Sequence, residues 1–149
     1  MQAILEEITD LLNTSGAGIV QPASLYGDLC KNTLEILQRK HMSQKDDDDE
    51  EAPASGDLAE WDAALIRSGQ DLVSAIAGAL GPDFSQNFGT LLPAMAQYYA
   101  PQREAAERAG TIGSLAESCN GLGEGVTPYT DSLFQLFTQA IHDQDMDVR

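Results

Sequence analysis

Three segments of this chain open alike: LYGDLCKNTLEIL from Leu25, NFGTLLPAMAQYY from Asn87 and PYTDSLFQLFTQAI from Pro128. Each carries an aromatic residue near its start and then apolar residues at helical spacing. The anchors Phe88 and Tyr129 stand 41 positions apart. A recurrence of that length belongs to stacked helical hairpins, whose apolar faces are buried only by their neighbours. Tyr26 and Phe88 are 62 positions apart, and the excess is about the size of an acidic stretch lying between them. The insertion therefore falls inside one repeat, between its two helices. The recurrence predicts an all-α fold, an α-α superhelix of two complete hairpins flanked by half repeats, with residues 1–149 forming one segment of a longer solenoid.

The segments between the anchors read as helices too. Ile4, Leu5, Ile8, Leu11 and Leu12 recur at helical spacing until Gly16 and Gly18, predicting a helix over 2–13. Pro22 opens the next, with Tyr26, Leu29, Cys30, Thr33, Ile36 and Leu37 on one face up to about Lys40, where the dipole favours the cations Lys40 and His41. Asp57 with Glu60 has cap spacing ahead of Leu58, Trp61, Leu65, Leu72, Ile76 and Leu80, and Gly81 and Pro82 stop that helix. Asp83 with Gln86 repeats the cap before Phe84, Phe88, Leu91, Leu92, Met95 and Tyr99, a stripe that Pro93 should kink. After Pro101, Ala105, Ala109, Ile112, Ala116 and Cys119 form a narrow seam of small residues suited to close approach of a neighbouring helix. Gly121, Gly123 and Gly125 close it, Thr127 caps and Pro128 starts the last helix, striped by Tyr129, Leu133, Leu136, Phe137, Ala140 and Ile141. Nothing alternates with a two-residue period, so no strand is expected.

Charge narrows the function. Eight Lys and Arg against 24 Asp and Glu give a formal charge of −16, which repels a phosphate backbone and argues against direct nucleic-acid binding. The same charge favours basic partners. Asp46 to Asp62 holds nine acids and no base around APASG, so residues 42–56 are expected to form a flexible acidic loop. No apolar run is long enough to cross a bilayer, and the acidic N-terminus resembles neither a secretory nor a transit peptide. Cys30 and Cys119, far apart in sequence, fit reduced, buried thiols better than a disulfide framework.

The order of motifs resembles a known family. IHDQDMDVR at 141–149 is similar to the Asp-rich turn of a HEAT repeat, and LLPAM around Pro93 to a proline-containing first helix of that class. DDDDEE followed by EWDAALIRSGQDLVSAIAGALG, then FGTLLPAM, then ERAGTIGSLAESCNGLG, resembles importin-4-type β-karyopherins of the importin-β superfamily in the same order, from about Tyr26 onward. The chain is much shorter than such a receptor, so it is expected to be a fragment. The resemblance implies a nuclear transport receptor shuttling between cytoplasm and nucleus. It would carry basic cargo such as core histones and ribosomal proteins, release it to GTP-bound Ran, and meet nucleoporins through the full-length receptor. The alternative is a structural HEAT scaffold without a transport role.

No catalytic residue, metal site or cofactor is expected. Asp143, Asp145 and Asp147 have the spacing of a calcium loop, but Val148 stands where such a loop needs Gly. His41 and His142 have no second ligand at metal spacing and read as helix-end cations or solvated side chains. GLGEG at 121–125 follows a helix and contains no Lys, unlike a phosphate loop. The candidates for holding basic cargo are the run Asp46, Asp47, Asp48, Asp49, Glu50 and Glu51, the cluster Glu60, Trp61 and Asp62, and Glu104, Glu107 and Glu117 on the next second helix. Trp61 could receive a lysine stem against its ring between two carboxylates.

Overall fold

In the computed structural model, residues 1–16, 18, 23–44 and 55–149 are described, with 23–25 and 55–58 described by backbone alone. Among the described residues six α-helices follow in order: α1 (Gln2–Ser15), α2 (Ala23–Leu37), α3 (Ser55–Leu80), α4 (Ser85–Ala96), α5 (Ala105–Leu122) and α6 (Thr130–Ile141). Short 3-10 turns occupy Met42–Gln44, Gly81–Phe84 and Gly123–Tyr129. There is no strand among the described residues.

The helices sort into two layers. In one, α3 lies between α1 and α5; in the other, α2 packs on α4, and α4 packs on the turn leading into α6. Bonds between α3 and α5 join residues 40 to 44 positions apart, such as Gln70 with Thr111 and Ser74 with Ser114. Bonds between α2 and the end of α4 join residues 60 and 61 apart. The longer offset in the pair that spans the insertion is the repeat expected from the sequence. Phe88 and Tyr129 meet edge to face at 5.5 Å. This is the HEAT-type α-α superhelix that the recurrence predicted.

The core is continuous through both layers, with Ile36, Leu65, Leu72, Ile76, Phe84, Phe88 and Met95 fully enclosed. Several local expectations are corrected. Helix α2 stops at Leu37 rather than near Lys40, because Arg39 takes a left-handed φ of 55°. The freed Leu37 carbonyl accepts from Tyr98 Oη at 2.6 Å and Gln97 Nε2 at 2.9 Å, so the neighbouring repeat completes the helix end. His41 is buried beside Ser43, 2.8 Å from its hydroxyl, rather than solvated at the helix end. Neither Asp83 nor Thr127 caps a helix; 3-10 turns ending in Phe84 and Tyr129 feed directly into α4 and α6. Pro93 lies in α4, which ends at Ala96, so Tyr99 belongs to the turn beyond. Of the expected 42–56 loop, residues 45–54 lie outside the described residues, while 42–44 form a 3-10 turn and α3 already begins at Ser55.

The largest correction concerns α5. The residues buried along it are Gly110, Thr111, Ser114, Leu115, Ser118 and Leu122, not the seam from Ala105 to Cys119. Polar side chains enter the interior there because each finds a partner: Gln70 Nε2 donates to Thr111 Oγ1 at 3.0 Å, and Ser74 Oγ donates to the Ser114 carbonyl at 2.8 Å.

Candidate functional site

Helical spacing aligns Trp61, Ala64, Ser68 and Asp71 along α3. Glu6, Asp10, Ala64, Arg67, Ser68 and Asp71 line a groove of about 320 Å³ between α1 and α3. A second groove of about 280 Å³, between α3 and α5, is lined by Arg67, Asp71, Gly110, Gly113, Ser114 and Glu117. Beside it lies a slot of about 190 Å³ with apolar walls from Ala63, Ile66, Tyr98 and Ala106, and with Glu107 and Arg67 among its lining.

Arg67 borders all three spaces. Its Nε lies 3.2 Å from Asp71 Oδ1, which also accepts from Ser114 Oγ at 3.1 Å. A side chain on Gly110 would collide with the guanidinium, so the absent Cβ makes room for it. The result is a face across α1, α3 and α5 on which Glu6, Asp10, Asp71 and Glu117 line grooves that Arg67 borders, Asp71 being the acid paired with it.

The sequence candidates fall unevenly around this face. Asp46 to Glu51 lie outside the described residues. Glu60 and Trp61 are exposed at the start of α3, Trp61 by 37%. Asp62 is held within the chain, 2.9 Å from Arg39 Nε and accepting from Gln44 Nε2 at 2.7 Å. Glu104 is exposed just ahead of α5, and Glu107 pairs with Arg103 at 3.6 Å. Glu107 and Glu117 are brought beside the grooves. The acids of the grooves that the sequence reading missed are Glu6, Asp10 and Asp71. Their signal was the i, i+4 pairing Glu6/Asp10 and Arg67/Asp71, which gains meaning only once α1, α3 and α5 are known to stack.

A separate cluster closes the end of the chain. Asp143 accepts from Arg108 Nη2 at 2.8 Å, Tyr99 Oη at 3.1 Å and the Asp145 amide at 3.0 Å, and its pair with Arg108 is largely sequestered. The Arg108 bonds, then the Asp145 amide, hold its carboxyl down at about 2. Asp145 in turn accepts from the Asp147 amide, so this acidic run is a turn built around an ion pair. No group of three or more metal-ligating side chains occurs among the described residues. Cys30 and Cys119 are free thiols pushed up by partial burial, the reverse of an activated nucleophile. No helix among the described residues is long and apolar enough to cross a membrane.

No protein-family model matches the chain. It is 36% identical over 129 residues, 81% of its length, to the probable importin subunit beta-4 of Schizosaccharomyces pombe. It is 31% identical over its whole length to Importin-4 of Mus musculus and to Importin-4 of Homo sapiens. The chain spans 12% of the yeast relative and 14% of each mammalian one.

Proposed function

The chain belongs with the importin-4-type karyopherins, and on that premise we propose that it is a cargo-holding part of a nuclear import receptor, binding Lys- and Arg-rich protein segments along the α1–α3–α5 face. The observation that carries this reading is the pair of acid-lined grooves, continuous across three stacked helices, in a chain of charge −16. A basic segment would be drawn in by the long-range field and held at short range by Glu6, Asp10, Asp71 and Glu117. Exposed Trp61, with Glu60, would take a lysine stem at one end. Glu104 and Glu107 would extend the acidic rim, and the run Asp46 to Glu51 would raise the encounter rate. Asp62, already paired with Arg39, would serve to position the start of α3.

On this reading the protein is a shuttling receptor and not an enzyme. It carries histones or ribosomal proteins, discharges them to GTP-bound Ran, and contacts nucleoporins through the full-length receptor. Stopped-flow binding of a Lys-rich peptide to that receptor at several salt concentrations tests it. Neutralising Glu6, Asp10, Asp71 and Glu117 to their amides should weaken binding a few-fold per charge at low salt, with the loss shrinking as the Debye length falls below about 8 Å. Replacing Asp46 to Glu51 with Ser should slow association, and Trp61→Ala should mainly speed dissociation. Unchanged binding of all three variants at every salt would place cargo elsewhere. Failure of the parent receptor to bind GTP-loaded Ran would point to a scaffold without a transport role.

A further inference from the structure

We propose that Arg67 is an internal stand-in for cargo, its guanidinium filling a berth beside Asp71 and Gly110 that an arginine of the bound basic segment takes over. The inference rests on the cargo reading above and adds to it the side chain that the segment must displace. Arg67 would then set which basic segments the α1–α3–α5 face accepts.

Two arginines make the case by contrast. Arg67 and Arg108 are the only Lys or Arg residues in α1, α3 and α5. Arg108 is committed: its Nε and Nη2 both donate to Asp143, its Nη1 donates to the Arg103 carbonyl, and its side chain is only 12% exposed. Arg67 is held by one edge. Its Nε donates to Asp71 at 3.2 Å, while Nη1 and Nη2 make no hydrogen bond among the described residues, and its side chain is 57% exposed. An exposed pair of adjacent helix turns is worth little and exchanges readily. The Arg108 pair is a fastening; the Arg67 pair is an occupancy.

The place that Arg67 fills is built independently of it. Ser114 Oγ, from α5, donates to Asp71 Oδ1 at 3.1 Å and so orients the carboxylate from the opposite helix. Gly110, also on α5, is buried, and a Cβ there would collide with the Arg67 Nη1. A flat space beside a fixed carboxylate suits a planar guanidinium, whereas a lysine ammonium, a point charge on a flexible stem, makes no use of the flatness. The berth also lies where both acid-lined grooves and the apolar slot meet, since Arg67 borders all three. A basic segment lying along this face passes over it.

Occupancy from within has a cost in affinity and a gain in selectivity. Cargo sees only the fraction of molecules in which Arg67 has swung away, so its apparent affinity is lowered by that fraction. A segment with lysines alone gains little by displacing Arg67, while one with an arginine recovers the contacts that Arg67 gives up.

Fluorescence anisotropy of the full-length receptor at about 0.15 M salt tests the proposal. The probes are two labelled peptides of equal length and charge, one charged only through arginines and one only through lysines, with a serine-substituted peptide as reference. Arg67→Gln should keep the thermal midpoint and bind the arginine peptide roughly two- to five-fold more tightly, the range of an exposed pair, with a smaller gain for the lysine peptide. Lys31→Gln, on α2 in the other layer, removes the same charge at an exposed site and should give less gain than Arg67→Gln. With Asp71→Asn already in place, Arg67→Gln should add nothing, because the acceptor over which the two cations compete is gone. Adding Gly110→Ala to Arg67→Gln puts a methyl group in the berth and should erase the preference for arginine. Binding by the parent with a gain at Arg67 no larger than at Lys31, equal gains for the two peptides, a gain that persists beside Asp71→Asn, or an arginine preference that survives Gly110→Ala would each overturn this inference and leave the cargo reading standing. A parent and variants that bind neither charged peptide better than the serine one would overturn both.

Discussion

The two layers are held together by opposite means. Between α2, α4 and the start of α6, the contact is aromatic: Tyr26 meets Phe84 at 6.3 Å, Phe84 meets Phe88 at 6.3 Å, and Phe88 meets Tyr129 at 5.5 Å. Between α3 and α5 it is made of small polar residues and close backbone, with Ser74 reaching both the Ser114 carbonyl and the Ser118 hydroxyl. Large rings fill wide space and bury large apolar areas in edge-to-face or tilted pairs. Serines and glycines allow helices to approach closely and fix their register by hydrogen bonds. The α2–α4–α6 layer gains its stability from buried area, while the α1–α3–α5 layer gains its geometry from close approach and presents the acidic face at fixed spacing.

The comparison is broken most forcefully at its aromatic side. Phe88 is completely buried and touches both Phe84 and Tyr129. Phe88→Ala should cost about 3 to 5 kcal/mol in urea unfolding. A cost below about 1 kcal/mol would mean that the rings are not what joins the repeats.

The close-approach side is sharpened by two glycines of the same helix. A Cβ on Gly121 would fall 2.5 Å from the Gly78 nitrogen and 2.7 Å from the Ala77 carbonyl carbon, both backbone atoms that cannot step aside. Gly121→Ala should cost roughly 1 to 3 kcal/mol by overpacking. A Cβ on Gly113 meets nothing within 4 Å, so Gly113→Ala should stabilise by up to about 1 kcal/mol through helix propensity. Equal thermal shifts for the two variants would show that α3 and α5 are not in backbone contact.

Which side was legible from sequence follows from the same physics. Phe88 and Tyr129 announce themselves, because a large apolar side chain at helical spacing has few places to go except inward. Helix α5 does not, because Thr111, Ser114 and Ser118 look like surface residues until Gln70 and Ser74 are placed opposite them. Choosing its alanines as the inward seam was therefore a rotation of the right helix by half a turn. At the grooves the misses have the same origin. Glu117 and Trp61 could be named from local chemistry, whereas Glu6, Asp10 and Asp71 became candidates only through the stacking of α1 on α3 on α5.

A smaller effect is expected where a polar partner remains after substitution. Ser74→Ala removes the bond to the Ser114 carbonyl, but that carbonyl still accepts from Ser118 Oγ at 2.7 Å. The loss should be about 1 kcal/mol, the net worth of one hydrogen bond. A loss above about 3 kcal/mol would mean that the three serines act as one network.

A contact of neither kind is the pair of Asp143 with Arg108 that ties the turn after α6 to α5; its contribution is full at neutral pH and is lost as acid is added. The Asp143 carboxyl, ordinarily near 3.8, is lowered to about 2 in the folded chain by the Arg108 guanidinium first and the Asp145 amide next. A carboxyl lowered on folding contributes stability that is fully present above its unfolded value and is lost as pH falls toward the folded one. Between about pH 4 and pH 2 the unfolded chain takes up the proton while the folded chain resists it, so stability contributed by this pair should decline across that window and be flat above it. Asp143→Asn removes the titrating group, so the difference in urea midpoint between parent and variant should be constant from pH 7 to pH 5 and narrow from pH 4 downward. A difference that stays constant to pH 2.5 would show that Asp143 titrates alike in the folded and unfolded chains, and that its bonds to Arg108 do not hold the turn against α5.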